Sequence, residues 1–201
     1  MNIETLILAG GKSSRMGQDK ALLKINNKPL LLNIYSIAKE ISNRVSLITY
    51  NVEKYKKILP SDVVFISDSQ PFQGALMAFA QGLKYVNSEW VFLLACDLPC
   101  LTLKEVKLWV SQLSQIPSEV IAFLPQNEKG WDCLCGFYRS SCYSSLNNYL
   151  QTDNRSFQRW LNEEKVRPIQ VENQQVLFNC NTVQDYQSID FSEKLGRNEE
   201  N

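Results

Sequence analysis

The chain has 201 residues, of which 44% are hydrophobic and 21% charged, and this composition is typical of one globular domain with a sizeable core. Lys plus Arg and Asp plus Glu each number 21, so there is no net positive charge to attract nucleic acid, and we expect no nucleic-acid partner. The N-terminus lacks the pattern of a signal peptide and no apolar run approaches the ~20 residues that span a bilayer, so we expect a cytoplasmic protein with no membrane partner.

The first predicted strand leads into a glycine-rich loop. The apolar run Leu6–Ala9 predicts a buried strand that ends at Gly10 and Gly11, where the absence of Cβ atoms permits positive φ and close approach to a ligand. Hydroxyl and basic residues follow, namely Ser13, Ser14, Arg15 and Lys20. Backbone N–H groups of such a loop can bind an anion, and guanidinium and ammonium groups suit phosphate. A glycine turn that only links two elements is the alternative, but the combination favours a polyphosphate site.

The rest of the chain alternates between strand and helix patterns. Apolar runs predict strands at Leu22–Ile25, Val45–Tyr50, Val63–Ile66, Trp90–Ala95, Val120–Leu124 and Leu134–Tyr138. Helical spacing predicts helices within Pro29–Ile41, Glu53–Leu59, Leu76–Leu83, Leu103–Leu113, Cys142–Leu150 and Ser156–Leu161, and Thr182 with Asp185 suggests a last helix. We expect a single domain over residues 1–190 and a flexible tail over residues 191–201.

This alternation predicts an α/β fold with a mostly parallel sheet flanked by helices. In such sheets, ligands bind outside the carboxyl ends of the strands. The residues at predicted strand ends are therefore candidates for the site: Gly10, Gly11, Asn51, Asp68 and Asp97.

Asp97 directly follows the most apolar predicted strand. A carboxylate at the mouth of a buried strand is costly unless it is paired or bound to a cation. The chain has no histidine, which excludes the usual Ser-His-Asp and Cys-His nucleophiles and leaves oxygen ligands for a metal, favouring Mg²⁺ or else Mn²⁺. Because Mg²⁺ often uses only one or two carboxylates and takes its other ligands from phosphate and water, one Asp suffices. A turn or helix-capping role is the alternative, since Pro99 lies two residues further on.

Three further polar side chains are weaker candidates. Asp68 either forms a plain Asx turn or contacts a ligand. Asn179 and Asn181 would share one face of an extended segment, where their amides would read a heterocycle or cap the next helix.

The loop from Leu8 to Lys20 reads Leu-Ala-Gly-Gly-Lys-Ser-Ser-Arg-Met-Gly-Gln-Asp-Lys and resembles the signature loop of the nucleotidyltransferases with a Rossmann-like fold. Within that superfamily it is most similar to the molybdenum cofactor guanylyltransferases. Separate stretches match in order to about Asp185, including Ala95-Cys96-Asp97-Leu98-Pro99 and Asn179-Cys180-Asn181-Thr182.

The resemblance implies a role for each matching residue. Nucleotide contacts fall on Leu8, Ala9, Gly10, Gly11, Lys20, Asn51, Asp68 and Asp97, and Asp97 would also hold the metal. Arg15 and Arg155 would hold the phosphate of the pterin acceptor, and Asn179 and Asn181 would contact its pterin side. Arg15, Lys20 and Asp97 would carry catalysis.

The reaction implied by the resemblance is transfer of GMP from GTP to molybdopterin or molybdenum-molybdopterin, with release of pyrophosphate. Other proteins of molybdenum cofactor biosynthesis and molybdoenzyme chaperones are the further partners it implies. A cytidylyltransferase, a sugar-phosphate nucleotidyltransferase and a non-catalytic nucleotide-binding relative are the alternatives. Two departures concern the acceptor: Gly74-Ala75-Leu76 replaces the family's Gly-Pro-Leu, and Cys133-Leu134 replaces a polar residue and a proline.

Overall fold

A computed structural model describes residues 2–10 and 19–188. Two of the predicted site residues, Gly11 and Arg15, lie outside the described residues, as does the predicted tail over 191–201.

One eight-stranded mixed sheet and a small hairpin contain all the strands among the described residues. They are β1 (Ile3–Leu8), β2 (Lys24–Ile25), β3 (Lys28–Pro29), β4 (Arg44–Thr49), β5 (Val64–Ser67), β6 (Trp90–Ala95), β7 (Ala122–Asn127), β8 (Gly130–Trp131), β9 (Cys135–Arg139) and β10 (Val166–Ile169). The order in the sheet is β10-β7-β9-β6-β1-β4-β5, with β8 paired to β7, and β2 and β3 form the separate hairpin.

Parallel pairing dominates the half of the sheet that contains β1. This strand lies between β4 and β6 and is parallel to both, and β5 continues the parallel set beyond β4. The other half contains antiparallel pairs, because β9 runs opposite to both β6 and β7. The predicted α/β fold with a mostly parallel sheet flanked by helices is confirmed.

In the part of the chain that the structure describes, six helices cover the two faces of the sheet: α1 (Leu30–Ile41), α2 (Val52–Lys56), α3 (Ala75–Leu83), α4 (Leu103–Gln112), α5 (Tyr143–Leu150) and α6 (Phe157–Asn162). Residues 183–188 are also helical, as the pattern predicted. No helix of the described residues is long and apolar enough to cross a membrane.

Strand β6 divides the core, because successive side chains of a strand point to opposite faces. Phe92 and Leu94 pack into one cluster with residues of α1 and α4, whereas Val91 and Leu93 pack into the other with residues of α3, α5 and α6. All six residues of β6 are buried, which explains why its apolar run predicted the strand at the observed bounds.

The largest errors of prediction concern short or exposed elements. The strand predicted at Leu22–Ile25 is wrong for its first half, because Lys20–Leu22 form a 3-10 helix capped by Asp19 and only Lys24–Ile25 pair as a strand. Strand β10 was not predicted, because it lies at a sheet edge, contains Pro168 and has two exposed residues among its four.

Candidate active site

A cavity of about 880 Å³ opens at the carboxyl ends of β1, β4, β5 and β6. From β1 the chain continues to β4 and β5 on one side of β1 and then crosses to β6 on the other side, so the order of the strands reverses at β1. Ligands of open α/β sheets bind at such a reversal. Among the predicted site residues the cavity is lined by Leu8, Ala9, Gly10, Lys20, Asp68, Asp97, Asn179 and Asn181.

Gly10 lies at the wall of the cavity, but it does so without a positive φ. Among the described residues only Gly74 and Gly130 are glycines with positive φ, so Gly10 does not use the left-handed conformation that glycine permits. A Cβ added at Gly10 would lie 3.9 Å from Asp68 Oδ2 and from Tyr50 Cδ1, so packing against the described residues does not require glycine here. Because Asp68 and Tyr50 line the cavity, the absence of a side chain at Gly10 leaves space on the side of the backbone that faces the cavity.

Lys20 joins three distant parts of the sequence. Its Nζ lies 3.2 Å from Asp97 Oδ2 and donates a hydrogen bond of 2.6 Å to Asn181 Oδ1. The side chains of Lys20 and Asp97 are 19% and 17% exposed, so this ion pair is shielded yet still reaches the cavity.

Asp19 was not predicted as a site residue, but it anchors the segment that carries Lys20. Its Oδ1 accepts a hydrogen bond from the backbone N–H of Ala21 at 3.1 Å and so caps the 3-10 helix. Its Oδ2 accepts a 2.7 Å hydrogen bond from the buried Tyr55 hydroxyl and lies 2.5 Å from Lys54 Nζ. Burial, and then the hydrogen bond to Asp19, raises the pKa of Tyr55 far above its usual value, so this hydroxyl stays a donor.

The segment that carries Asn179 and Asn181 is fixed to the end of β6 by backbone contacts. The N–H of Cys180 donates to the carbonyl oxygen of Asp97 at 3.0 Å. Further along, Asp185 Oδ2 accepts the backbone N–H groups of Asn181 and Thr182 at 2.8 and 2.7 Å. The hydrogen bond from Asn181 is the main cause that lowers the pKa of Asp185. Thr182 Oγ1 in turn accepts the Asp185 N–H at 3.1 Å, so Thr182 and Asp185 cap the helix together, and both Asn side chains line the cavity.

Asp68 forms a turn and also reaches the site. Its Oδ1 accepts a hydrogen bond from the backbone N–H of Gln70 at 3.0 Å, while Oδ2 lies beside Gly10. The two interpretations of this residue are therefore compatible.

Among the predicted site residues that the structure describes, Asn51 and Arg155 do not line this cavity. Asn51 Oδ1 caps α2 by accepting from the Lys54 N–H at 3.2 Å, and Asn51 is not among the residues that line the cavity. The guanidinium of Arg155 donates at 3.0 Å to the carbonyl oxygens of Leu150 and Asn154 and lines a second cavity of about 310 Å³.

The surroundings of Cys96, the thiol beside Asp97, disfavour a cysteine nucleophile there. Burial, followed by the charges of Asp97 and Asp19, raises the pKa of Cys96 well above the usual value, so its thiol stays protonated at neutral pH. The described residues contain no group of three or more His, Cys, Asp or Glu side chains that could hold a metal ion.

Comparison with known proteins decides the family. The sequence profile of the MobA-like NTP transferase domain matches residues 5–168. A probable molybdenum cofactor guanylyltransferase of Nostoc sp. is 43% identical over 92% of this chain and 88% of its own length. Another from Synechococcus elongatus is 37% identical over 96% of this chain and 100% of its own length. The chain belongs to the molybdenum cofactor guanylyltransferase family. The protein is therefore a nucleotidyltransferase.

A solved structure agrees at the level of the fold. The molybdopterin-guanine dinucleotide biosynthesis protein A of Archaeoglobus fulgidus superposes with a TM-score of 0.79 at 17% identity, covering 95% of this chain and 98% of that one. The family's nucleotidyltransferase fold is thus the fold of this chain, and the predicted resemblance is confirmed.

Proposed function

We propose that this protein transfers GMP from GTP to the terminal phosphate of molybdopterin or of molybdenum-molybdopterin and releases pyrophosphate. The observation that carries the proposal is the convergence of Lys20, Asp97 and Asn181 at the switch-point cavity of a chain from this family. The cavity volume of about 880 Å³ falls within the ~300–1,000 Å³ of typical small-molecule sites.

The chemistry requires no general base. A phosphate monoester has a second pKa of ~6, so at neutral pH the acceptor is already an ionised nucleophile. An acceptor oxygen attacks the α-phosphorus of GTP, and the bond from that phosphorus to the bridging oxygen of pyrophosphate breaks. A chain without histidine, whose site thiol stays protonated, suits a reaction that works by positioning and electrostatics.

Lys20 would supply positive charge to the phosphates of GTP and to the pyrophosphate as it leaves. Its present partners, Asp97 and Asn181, hold the ammonium group at the wall of the cavity, so little reorganisation is needed when the substrate binds. Arg15, by family resemblance, would add a second cation from the glycine loop, and Gly10 and Gly11 would present backbone N–H donors.

Asp97 is the residue that would hold Mg²⁺ or Mn²⁺. Its Oδ2 faces Lys20, whereas Oδ1 makes no hydrogen bond to the described residues, and one carboxylate is sufficient when phosphate and water provide the remaining ligands. When bound, the ion would neutralise charge on the triphosphate.

The acceptor side is built from amides. Asn179 and Asn181 would contact the pterin, whereas Arg155 would meet the acceptor only if that molecule extends from the main cavity into the second one. We assign the reaction to the cytoplasm, since all six cysteines are free thiols and a reducing compartment keeps them so. Molybdenum cofactor biosynthesis proteins and molybdoenzyme chaperones would be the delivery partners.

Pyrophosphate release in the presence of Mg²⁺ tests the proposal. We expect release that depends on molybdopterin or molybdenum-molybdopterin and that requires GTP. Release with CTP instead would indicate the cytidylyltransferase alternative. Binding of GTP without release for either acceptor would indicate a non-catalytic nucleotide-binding protein.

A further inference from the structure

Two half-exposed aromatic side chains form one wall of the cavity. Tyr50 is 49% exposed and Phe72 is 53% exposed, and their ring centroids lie 5.3 Å apart with a tilt of 53°. Both residues line the cavity, and a Cβ built at Gly10 would lie 3.9 Å from Tyr50 Cδ1. The pair therefore presents aromatic surface beside the glycine backbone on which the nucleotide contacts are proposed.

The backbone of Phe72 has an unusual conformation. Its φ of 68° is in the left-handed region, which bulky residues rarely adopt. Contacts before and after it hold the loop: Asp68 Oδ1 accepts the Gln70 N–H at 3.0 Å, Gln81 Oε1 accepts the Ser69 N–H at 3.2 Å, and α3 begins after Gly74. Strain that the surrounding structure maintains is typical of ligand clamps and other functional sites.

We propose that Tyr50 and Phe72 form a stacking wall for a planar fused heterocycle. The ligand's ring would lie on the face of one aromatic side chain, while the other, tilted by 53°, would close its edge. The proposed function provides two such heterocycles, the guanine of GTP and the pterin of the acceptor, and the assignment of the ligand rests on that function. Tyr50 and Phe72 offer a heterocycle few hydrogen bonds, and they would recognise it by stacking on its π-face.

The test compares variants that remove a ring with variants that keep it. Tyr50→Leu and Phe72→Leu remove the π-face at similar size, whereas Tyr50→Phe and Phe72→Tyr retain it. Tyr85→Leu is the matched control, because Tyr85 is 52% exposed and does not line the cavity. Since all three positions are half exposed, thermal unfolding is expected to stay close to that of the wild type, and it is recorded for each variant.

Titration calorimetry measures the Kd of GTP and of inorganic tripolyphosphate, and turnover measures the KM for molybdopterin. Removal of a ring is expected to weaken the binding of a heterocycle by about five- to 150-fold and to leave tripolyphosphate unchanged. A raised Kd for GTP assigns the wall to guanine, and a raised KM for molybdopterin with unchanged GTP binding assigns it to the pterin.

The proposal is overturned if both ring-removing variants bind GTP and use molybdopterin within twofold of the wild type. It is also overturned if GTP and tripolyphosphate weaken equally, because that pattern reflects damage to the phosphate site. Direct titration separates this proposal from the proposed function. If the wild type transfers no GMP but the ring-removing variants bind GTP more weakly than it does, the proposed function is refuted and the stacking wall is retained.

Discussion

Replacing Asp97 by Asn removes one negative charge from the centre of the site and leaves its shape nearly unchanged. The amide oxygen can still accept a hydrogen bond from Lys20 Nζ, which lies 3.2 Å from Asp97 Oδ2 and which also keeps its 2.6 Å hydrogen bond to Asn181. Because the ion pair is partly shielded and the ammonium group retains acceptors, we expect Asp97→Asn to change the free energy of unfolding by only about 1 kcal/mol.

The effect of Asp97→Asn on turnover should be much larger. Loss of a preorganised electrostatic group costs about 10²–10³-fold in kcat, and an amide is a far weaker ligand than a carboxylate for a hard cation. The assay is acceptor-dependent pyrophosphate release at saturating GTP, with unfolding in urea measured in parallel. Asp62→Asn is the control, because Asp62 pairs with Lys39 at 2.5 Å outside the cavity and should leave turnover unchanged. A kcat within a few-fold of the wild type, or a loss of stability above about 3 kcal/mol, would refute the reasoning.

Three further predictions follow from the structure. Tyr55→Phe removes the 2.7 Å hydrogen bond to Asp19 but leaves the ion pair of Asp19 with Lys54, so we expect a loss of about 1 kcal/mol in urea unfolding and a roughly tenfold fall in turnover. Unchanged kinetics would show that the hydrogen bond from Tyr55 does not help to position Lys20. Gly136→Ala places a Cβ 2.9 Å from a backbone carbonyl oxygen of β7, so calorimetry should show destabilisation by about 1–3 kcal/mol, and an unshifted melting temperature would contradict the packing of β9. The pKa of Asp185 is lower in the folded chain than the unfolded value of about 3.9, so its capping contribution is present above that pH and is lost as the pH falls through the folded pKa. Asp185→Asn should therefore be less stable than the wild type at pH 6, and the difference should shrink as the pH falls below about 3.9. Equal urea midpoints at pH 6 would exclude the cap.

The sequence predicted the place of Asp97 in the fold correctly, because that place is determined by a strand. The apolar run Trp90–Ala95 located β6 and therefore Asp97 at its carboxyl end. Lys20 and Asn181 could be assigned to the same site only through the family resemblance, because 161 residues separate them in sequence. Spacing within one sequence contains no information on such a contact.

The parts that were missed depend on tertiary packing. Asp19 stood in the sequence as a lone acid among basic residues, and only the folded chain brings Tyr55 and Lys54 to it. In the sequence, the aromatic residues Tyr50 and Phe72 are as compatible with the hydrophobic core as with a binding site. Only their exposure at the cavity distinguishes these two possibilities.

Two residues predicted as ligand contacts, Asn51 and Arg155, bind backbone groups of their own segments in the structure. Asn51 immediately precedes α2, and its side chain caps that helix. Arg155 binds carbonyl groups of its own loop, beside the second cavity. A helix cap and a carbonyl-bound arginine satisfy nearby backbone groups, and the sequence pattern alone does not separate this use from ligand binding.

Transfer of the α-phosphate tests the central claim most directly. The protein is incubated with Mg²⁺, molybdopterin and GTP labelled at either the α- or the γ-phosphate, and the pterin product is separated from nucleotides and pyrophosphate. The account predicts that the α-label appears in the pterin product, that the γ-label appears in pyrophosphate, and that α-labelled CTP transfers little. Retention of the α-label in free nucleotides, or equal transfer from CTP, would contradict it.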